Sequence, residues 1–430
     1  MVRTTCLLLL LLALALAANF WIDGVAQSFN SPHGLQYSSE ADYGHENFDF
    51  LQYYAGGHNW SLGLDPYANH PGDPRAMLLP RIGDFSISGY VYPPTYLPVY
   101  AAFSRLPYGL ARTLWLALDL AALAGAVIVA TLTARRRRLA IVTAAVLLVV
   151  GSYPFMSHVY QGQIDMLVAG LSVSAFLLYP RWRGWPSAAC LALAVAAKVT
   201  PVLLLAVIVL YFWDWRLLLK SALCGGILFV SSLPFIGLAL YREFVFTTLP
   251  KVSVPQASLI NQTSLRYLAN HPSIAQVATV AGYAALLGLA ALVGRSSRHM
   301  TEGRRPVPLD TERYAVLTLG VSFMLFFSPL AWQMAYVWLI VPLALLITAA
   351  PPPARPGAVI WLGVGTALAS VQVFAGRVID MLNIIGLGVL IVVLLLCYLP
   401  LGDSVAPEER SPTGLRQADA DGARTPEGRV

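Results

Sequence analysis

The chain has 430 residues, of which 57% are apolar and only 12% are charged. An ordinary soluble domain carries about 25% charged residues, so this chain has too few to cover the surface of a soluble globule. The composition therefore excludes a soluble protein and predicts an all-α polytopic membrane protein. The net charge of +6 does not indicate nucleic acid as a partner, because the basic residues flank apolar runs.

Apolar runs of about the length that crosses a bilayer recur along the whole chain. They predict about twelve transmembrane helices, at 5–22, 113–133, 139–157, 164–180, 186–199, 201–213, 219–240, 274–294, 315–331, 335–349, 358–375 and 382–400. The runs 186–199 and 201–213 are short, because Lys198 and Pro201 interrupt what could be one hairpin. The first run could instead be a cleaved signal peptide, since Ala15-Leu16-Ala17 resembles a cleavage site.

The basic residues predict which loops face the cytoplasm. With a cytoplasmic N-terminus, most of the 28 basic residues fall in inner segments, including four consecutive arginines at 135–138. This orientation leaves 23–110 outside the cell membrane and places both termini in the cytoplasm. It divides the chain into a transmembrane domain, 1–401, and a polar tail, 402–430, which we expect to be disordered.

The segment 23–110 is a long first external loop that is too aromatic to be disordered. Within it, 48–62 and 92–107 each predict a short amphipathic helix lying at the membrane interface. Its four histidines match no metal-ligand spacing, so we expect neither a metal nor another cofactor. These histidines are His33, His45, His58 and His70.

Five polar clusters interrupt the apolar pattern, and the predicted orientation places all of them on the outer face. They are 49–56 with 63–67, 90–94, 161–165, 198–201, and the pair 261–265 with 328–333. Chance would scatter such clusters over both faces. Their convergence on one face predicts a single external site at the membrane surface.

Most clusters also have a purely structural interpretation. Asp49 could cap a short helix, and Gln163 and Asp165 could cap the start of another. The segment 92–94, Tyr-Pro-Pro, could form only a rigid entry into an interfacial helix. These alternatives stay open at the level of the residues.

Two residue types at the membrane boundary favour different interpretations. A lone lysine within apolar sequence is costly at membrane depth, so Lys198 favours a functional role with an anionic lipid headgroup as its partner. It could also extend its amine toward water. Trp332 and Trp338 lie near the end of a run and favour a place in the interfacial belt of aromatic residues.

The ordered clusters resemble the membrane glycosyltransferases of family 87, which have the GT-C architecture. This family includes polyprenol-phosphate-mannose-dependent α-mannosyltransferases and related arabinofuranosyltransferases. The motifs extend over about residues 40–345 and are Asp49-Phe50 with Tyr53-Tyr54-Ala55-Gly56, Gly63…Pro66-Tyr67, Tyr92-Pro93-Pro94, Gly162-Gln163, Lys198…Pro201, Asn261-Gln262…Ser264-Leu265 and Ser328-Pro329…Trp332. The chain departs from the family pattern at Asp165, where members often carry Asn, and in the stretch Trp332-Gln333-Met334-Ala335, where a histidine pair usually follows Trp-x.

The resemblance implies a GT-C-like bundle that transfers a sugar, mannose or pentose-like, from a polyprenyl-phosphate donor to a lipid or glycan acceptor. Transfer would invert the anomeric centre without a metal, with Asp49 as general base and the donor phosphate near Lys198. A single displacement needs one base and a cation beside the leaving phosphate, and no carboxylate nucleophile. The residues expected to contact substrates are Tyr53, Tyr54, Tyr92, Gln163, Asp165, Lys198, Asn261, Gln262, Trp332 and Gln333.

Two other functions remain open from the sequence. A transporter or flippase of lipid-linked saccharides would have polar residues lining a path through the midplane, whereas Asp119 is the clearest ionisable residue within a run. A non-catalytic scaffold is the third possibility, since the histidine pair is missing. Concentration of the polar clusters on one face favours the enzyme.

Overall fold

The computed structural model describes residues 49–68, 90–134, 137–182, 184–255, 263–299, 309–329, 331, 333–349, 357–370 and 381–399. Every regular element within these ranges is helical. The predicted run 5–22 and the tail 402–430 lie outside the described residues. So do the candidate site residues Asn261, Gln262 and Trp332, and the loop histidines His33, His45 and His70.

The α-helices are numbered here in chain order. They are α1 Asp49–Ser61, α2 Leu97–Phe103, α3 Tyr108–Thr133, α4 Arg138–Val150, α5 Tyr153–Gln161, α6 Asp165–Trp182, α7 Trp185–Ala197, α8 Pro201–Phe212, α9 Trp215–Ile236, α10 Leu238–Glu243, α11 Leu249–Val252, α12 Pro272–His299, α13 Leu309–Phe327, α14 Ile340–Thr348, α15 Gly357–Ser370 and α16 Leu382–Val393. Short 3₁₀-helices cover Pro94–Tyr96, Ser264–Leu268 and Gln333–Leu339, and π-helical turns cover Phe244–Thr248 and Leu394–Tyr398.

Among the described residues, three helices are long and apolar enough to cross a membrane: α3, α9 and α12. The predicted run 139–157 is not one straight span, because α4 and α5 meet at an angle of 71°. Pro154 lies in the first turn of α5, where its ring is tolerated, but it could not continue an unbroken helix. Counted together, the bent pair would be a fourth span, so the predicted number of about twelve is not confirmed.

Six other apolar helices among the described residues are shorter, with 10–17 residues, and they include the two that Lys198 and Pro201 separate. Helix α7 ends at Ala197, Lys198 has an extended backbone, and Pro201 starts α8. Proline fits the first turn of a helix because its missing N–H would have no partner there. The interruption therefore leaves Lys198 in the short link between two helices.

Polar contacts tie the helices together at one end of the bundle, which we call the basic end. Arg137 Nη1 donates to the Thr348 carbonyl at 2.6 Å, and Arg298 donates to the Phe212 carbonyl. Lys220 lies 5.8 Å from the centroid of the Trp185 ring. Each of these contacts joins two helix ends that the sequence predicts on the same side of the membrane.

Helix α1 forms where the sequence predicts a helix at 48–62, but its apolar residues face the protein. Phe50 and Tyr53 are fully buried. The Tyr53 ring stacks on Tyr100 of α2 at 5.0 Å, and the Phe50 ring stacks on Trp115 of α3 at 6.0 Å. These contacts pack α1 against α2 and α3, so its apolar residues are buried within the protein.

Gly57 allows α1 to approach α2 closely. A Cβ atom at this position would lie 2.3 Å from the carbonyl carbon of Tyr100 and 2.4 Å from the amide nitrogen of Ala101. Backbone atoms cannot yield as a flexible side chain can, so only glycine fits this crossing. The position of α1 on the bundle therefore depends on this residue.

We expect Gly57→Ala to destabilise the protein by about 1–3 kcal/mol, because the added methyl group overpacks a backbone contact. The unfolding temperature in detergent measures this change. Gly125→Ala in α3 is the matched control, since a Cβ there meets open space, and it should leave the protein unchanged or slightly more stable. Equal unfolding temperatures for the two variants would contradict the close crossing.

Candidate active site

Asp49 and Gln163 meet at the end of the bundle opposite the basic end. Asp49 starts α1, Gln163 lies between α5 and α6, and the Gln163 amide Nε2 donates to Asp49 Oδ2. The amide oxygen of Gln163 accepts from the hydroxyls of Tyr53 at 3.0 Å and Tyr92 at 3.2 Å. Four residues from three of the predicted polar clusters therefore form one hydrogen-bonded group.

The two phenols fix the orientation of this amide. Burial raises the pKa of Tyr53 and of Tyr92 well above the ordinary value, so both hydroxyls keep their protons. Each therefore donates to the Gln163 oxygen, and the nitrogen of the amide is directed to Asp49. The carboxylate receives an N–H donor because two hydroxyls occupy the other side of the amide.

The residue before Gln163 explains how the chain brings this amide to α1. Gly162 ends α5 in the left-handed region, with φ of 68°, which glycine adopts without strain. A Cβ there would lie 2.8 Å from the Cβ of Phe50. Glycine thus both turns the chain and lets the start of α1 pack directly on the link.

A second group surrounds Asp165 at the start of α6. Its Oδ1 accepts from Lys198 Nζ at 2.7 Å and from Trp338 Nε1 at 2.9 Å. Asp165 is buried, whereas the Lys198 side chain keeps 23% exposure. Lys198 therefore has a carboxylate partner, and its remaining N–H groups can serve a further anion.

Trp338 corrects one expectation from the sequence. A belt residue would expose its ring to the interface, but Trp338 is 1% exposed and donates to the buried Asp165. The two residues are 173 positions apart in the chain. Trp338 therefore belongs to the site, although its position near the end of an apolar run favoured the belt.

The two groups act electrostatically on one another. Burial raises the pKa of Asp49 from 3.8 to about 7, and the Gln163 hydrogen bond and the Lys198 charge oppose part of this rise. The charge of Asp165 also raises the pKa of Asp49, and the charge of His158 lowers it. At neutral pH the carboxylate is therefore poised between its two forms, as a general base requires.

His158 and Asp119 were not predicted as site residues. His158 of α5 is fully buried, and its Nε2 lies 2.5 Å from Oδ2 of Asp119 in α3. The sequence does single out Asp119, because it is an ionisable residue within an apolar run. A lone histidine gave no signal of this pairing, because 39 residues separate the two.

The other predicted residues have different positions. The Tyr54 hydroxyl donates to the Leu106 carbonyl at 2.8 Å, and its ring packs edge-on against Tyr108. Tyr54 follows Asp49 by five positions and so leaves the face that Asp49 and Tyr53 share. Gln333 starts the 3₁₀-helix Gln333–Leu339, which packs against α5 and carries Trp338.

The raised pKa of Asp49 predicts how stability depends on pH. The folded protein binds the proton of this group more tightly than the unfolded chain, so stability is lost as the pH rises from about 4 to about 7. Asp49→Asn removes this loss. Its unfolding temperature should exceed that of the wild type at pH 8, and by a smaller margin at pH 5.

Thermal unfolding of purified protein across this pH range measures the difference. Asp65→Asn, in the exposed turn after α1, controls for the loss of one loop carboxylate. A variant at position 49 that is less stable than the wild type at pH 8 would contradict the burial of this carboxylate.

Comparison with known proteins adds one finding. The model of glycosyltransferase family 87 matches residues 90–329, which is more than half of the chain. The matched interval contains Tyr92, Gln163, Asp165 and Lys198 and begins after Asp49. No curated protein and no solved structure matches the chain.

Proposed function

Because this chain belongs to glycosyltransferase family 87 and is therefore a membrane glycosyltransferase, we propose that it transfers a sugar from a polyprenyl-phosphate donor. The acceptor is a lipid or glycan, and the sugar is mannose or a pentose. Asp49 acts as the general base. The observation that supports this role most directly is the partly buried Asp49 carboxylate, held by the Gln163 amide within electrostatic reach of Lys198.

In the proposed reaction an acceptor hydroxyl oxygen attacks the anomeric carbon of the donor sugar. The bond from that carbon to the lipid phosphate breaks, and the phosphate leaves with the electron pair. Asp49 takes the proton of the acceptor hydroxyl as the new bond forms. One displacement inverts the anomeric centre and requires no metal in this scheme, and a retaining scheme would require a second, nucleophilic carboxylate.

Lys198 is the proposed partner of the donor phosphate. Its ammonium has three N–H donors, and Asp165 accepts one of them at 2.7 Å. Trp338 donates to the same oxygen of Asp165, which holds that carboxylate in place, so the ammonium keeps its position when a phosphate approaches. A fixed cation stabilises the negative charge that grows on the leaving phosphate.

We propose that the site opens on the extracytoplasmic face of the cell membrane and that the basic end lies in the cytoplasm. The contacts of Arg137, Lys220 and Arg298, each of which joins helix ends predicted on the cytoplasmic side, support this orientation. The transmembrane domain 1–401 and the cytoplasmic tail 402–430 follow from the same orientation.

We expect Asp49→Asn to reduce sugar transfer by about 10²- to 10⁴-fold, the usual contribution of a general base. A panel of radiolabelled polyprenyl-phosphate sugars in membranes measures transfer, and Asp65→Asn is the control that should stay active. The wild-type rate should rise with pH through about 7, because only the ionised Asp49 accepts a proton.

Two outcomes would contradict this proposal. Retained transfer in Asp49→Asn would remove Asp49 as the base. Movement of labelled lipid across vesicles without any glycosidic product would instead favour a flippase of lipid-linked saccharides.

Lys198→Met should raise the KM for the donor roughly tenfold or more, since a charge-assisted hydrogen bond contributes about 1.5–3 kcal/mol. The KM for the acceptor should change little. Lys220→Met at the basic end is the matched control and should leave both constants unchanged. An unchanged donor KM in Lys198→Met would exclude contact between this lysine and the donor phosphate.

A further inference from the structure

We infer that Asp119 and His158 are positioning residues that hold Gln163, and through it the proposed base Asp49, in place. Neither residue touches Asp49 directly in the described hydrogen bonds, so the effect passes through the link between α5 and α6. This inference rests on the proposed function, because it assigns Asp49 the role of base. We call residues 158–167 the α5–α6 corner.

Asp119 binds both sides of the corner with its two carboxylate oxygens. Oδ2 accepts from Nε2 of His158 at 2.5 Å, near the end of α5. Oδ1 accepts from the backbone N–H of Leu167 at 2.6 Å, in the first turn of α6. That N–H has no partner within its own helix, so Asp119 also caps α6.

Trp115, one turn before Asp119 on the same face of α3, fixes the middle of the corner. Its Nε1 donates to the Gly162 carbonyl at 3.0 Å. On the other side of Gln163, the Ile164 N–H donates to the Tyr53 hydroxyl at 3.3 Å. Contacts of this kind before and after Gln163 leave its backbone little freedom to move relative to Asp49.

A buried polar pair is a costly means of packing helices. Asp119 is 2% exposed and His158 is fully buried, and apolar side chains could join α3 to α5 without the loss of hydration. The carboxylate provides something that apolar residues cannot, namely directed bonds to an imidazole and to a backbone amide at once. The geometry therefore favours a role in orientation over a role in cohesion.

The corner also affects the ionisation of Asp49. The groups that face Asp49 from the elements packed around it are the charges of Lys198, Asp165 and His158 and the polar groups of Gln163, Tyr53 and Tyr92. The Gln163 hydrogen bond lowers the pKa of Asp49, and so does the charge of His158. A loosened corner should therefore raise this pKa further.

Two substitutions at position 119 separate orientation from charge. Asp119→Ala removes both hydrogen bonds. Asp119→Asn can keep both, because its Oδ1 can accept from the Leu167 N–H and its amide nitrogen can donate to Nε2 of His158 in the tautomer in which this atom accepts. The asparagine variant thus retains the corner without the negative charge.

We expect Asp119→Ala to lower kcat by about 10- to 100-fold with little change in KM, as for a misplaced catalytic group. The midpoint of its pH–rate profile should move to higher pH. The midpoint of Asp119→Asn should lie closer to the wild-type value than that of Asp119→Ala, and most of kcat should remain. Trp115→Phe removes the bond to Gly162 and part of the ring packing on Phe50, and it should show a smaller shift in the same direction.

Glu312→Gln is the matched control for loss of a buried carboxylate. Glu312 is 2% exposed and accepts from the Tyr211 hydroxyl at 2.8 Å at the basic end. Its substitution should not move the midpoint. An unmoved midpoint in Asp119→Ala would show that the pair only packs, and an asparagine variant as defective as alanine would show that its charge acts; either result overturns the inference.

Hydrogen exchange of the purified protein tests the same corner without any sugar donor. Peptides across 158–168 and the start of α1 should exchange faster in Asp119→Ala than in the wild type or Asp119→Asn. Equal exchange in all three proteins would overturn the inference. If the corner loosens but no donor is used by the wild type, the proposed function fails and the structural role of the pair stands.

Discussion

The hydrogen bond from the Gln163 amide to the Asp49 carboxylate is the contact on which the site depends. It joins α1, which lies outside the predicted spans, to the link between two helices of the bundle. A partly buried carboxylate loses hydration, and a directed donor replaces part of it. Since the amide is itself oriented by two phenols that keep their protons, the carboxylate is held in one place while its pKa rises to about 7.

Two carboxylates near one lysine have different surroundings, which suits them to different tasks. Asp165 accepts hydrogen bonds from both Lys198 and Trp338, and these two donors stabilise its negative charge in one position. The Asp49 carboxylate accepts a hydrogen bond from the Gln163 amide, and the charge of Lys198 acts on it electrostatically. Titratable groups with contrasting environments are common in active sites, where one must exchange a proton and the other must not.

The site lies where helices are interrupted. The residues 162–164 separate α5 from α6, and 198–200 separate α7 from α8. Such breaks expose backbone N–H and C=O groups, which membrane proteins tolerate only where protein or water surrounds them. Here Trp115, Asp119 and Tyr53 satisfy backbone groups of the first break. Polar side chains and polar backbone thus converge at one end of an otherwise apolar bundle.

The sequence alone determined the membrane class, the helical architecture and the separation of α7 from α8, and it predicted that Gln163, Asp49 and the tyrosines belong to one site. Composition and the positions of proline carry the first three, and the ordered polar clusters carry the last. The tertiary structure alone decided the bend between α4 and α5, the contact of Trp338 with Asp165, and the pairing of Asp119 with His158. Helices that are apolar on every face do not specify their rotation or depth, so contacts between them arise only from packing.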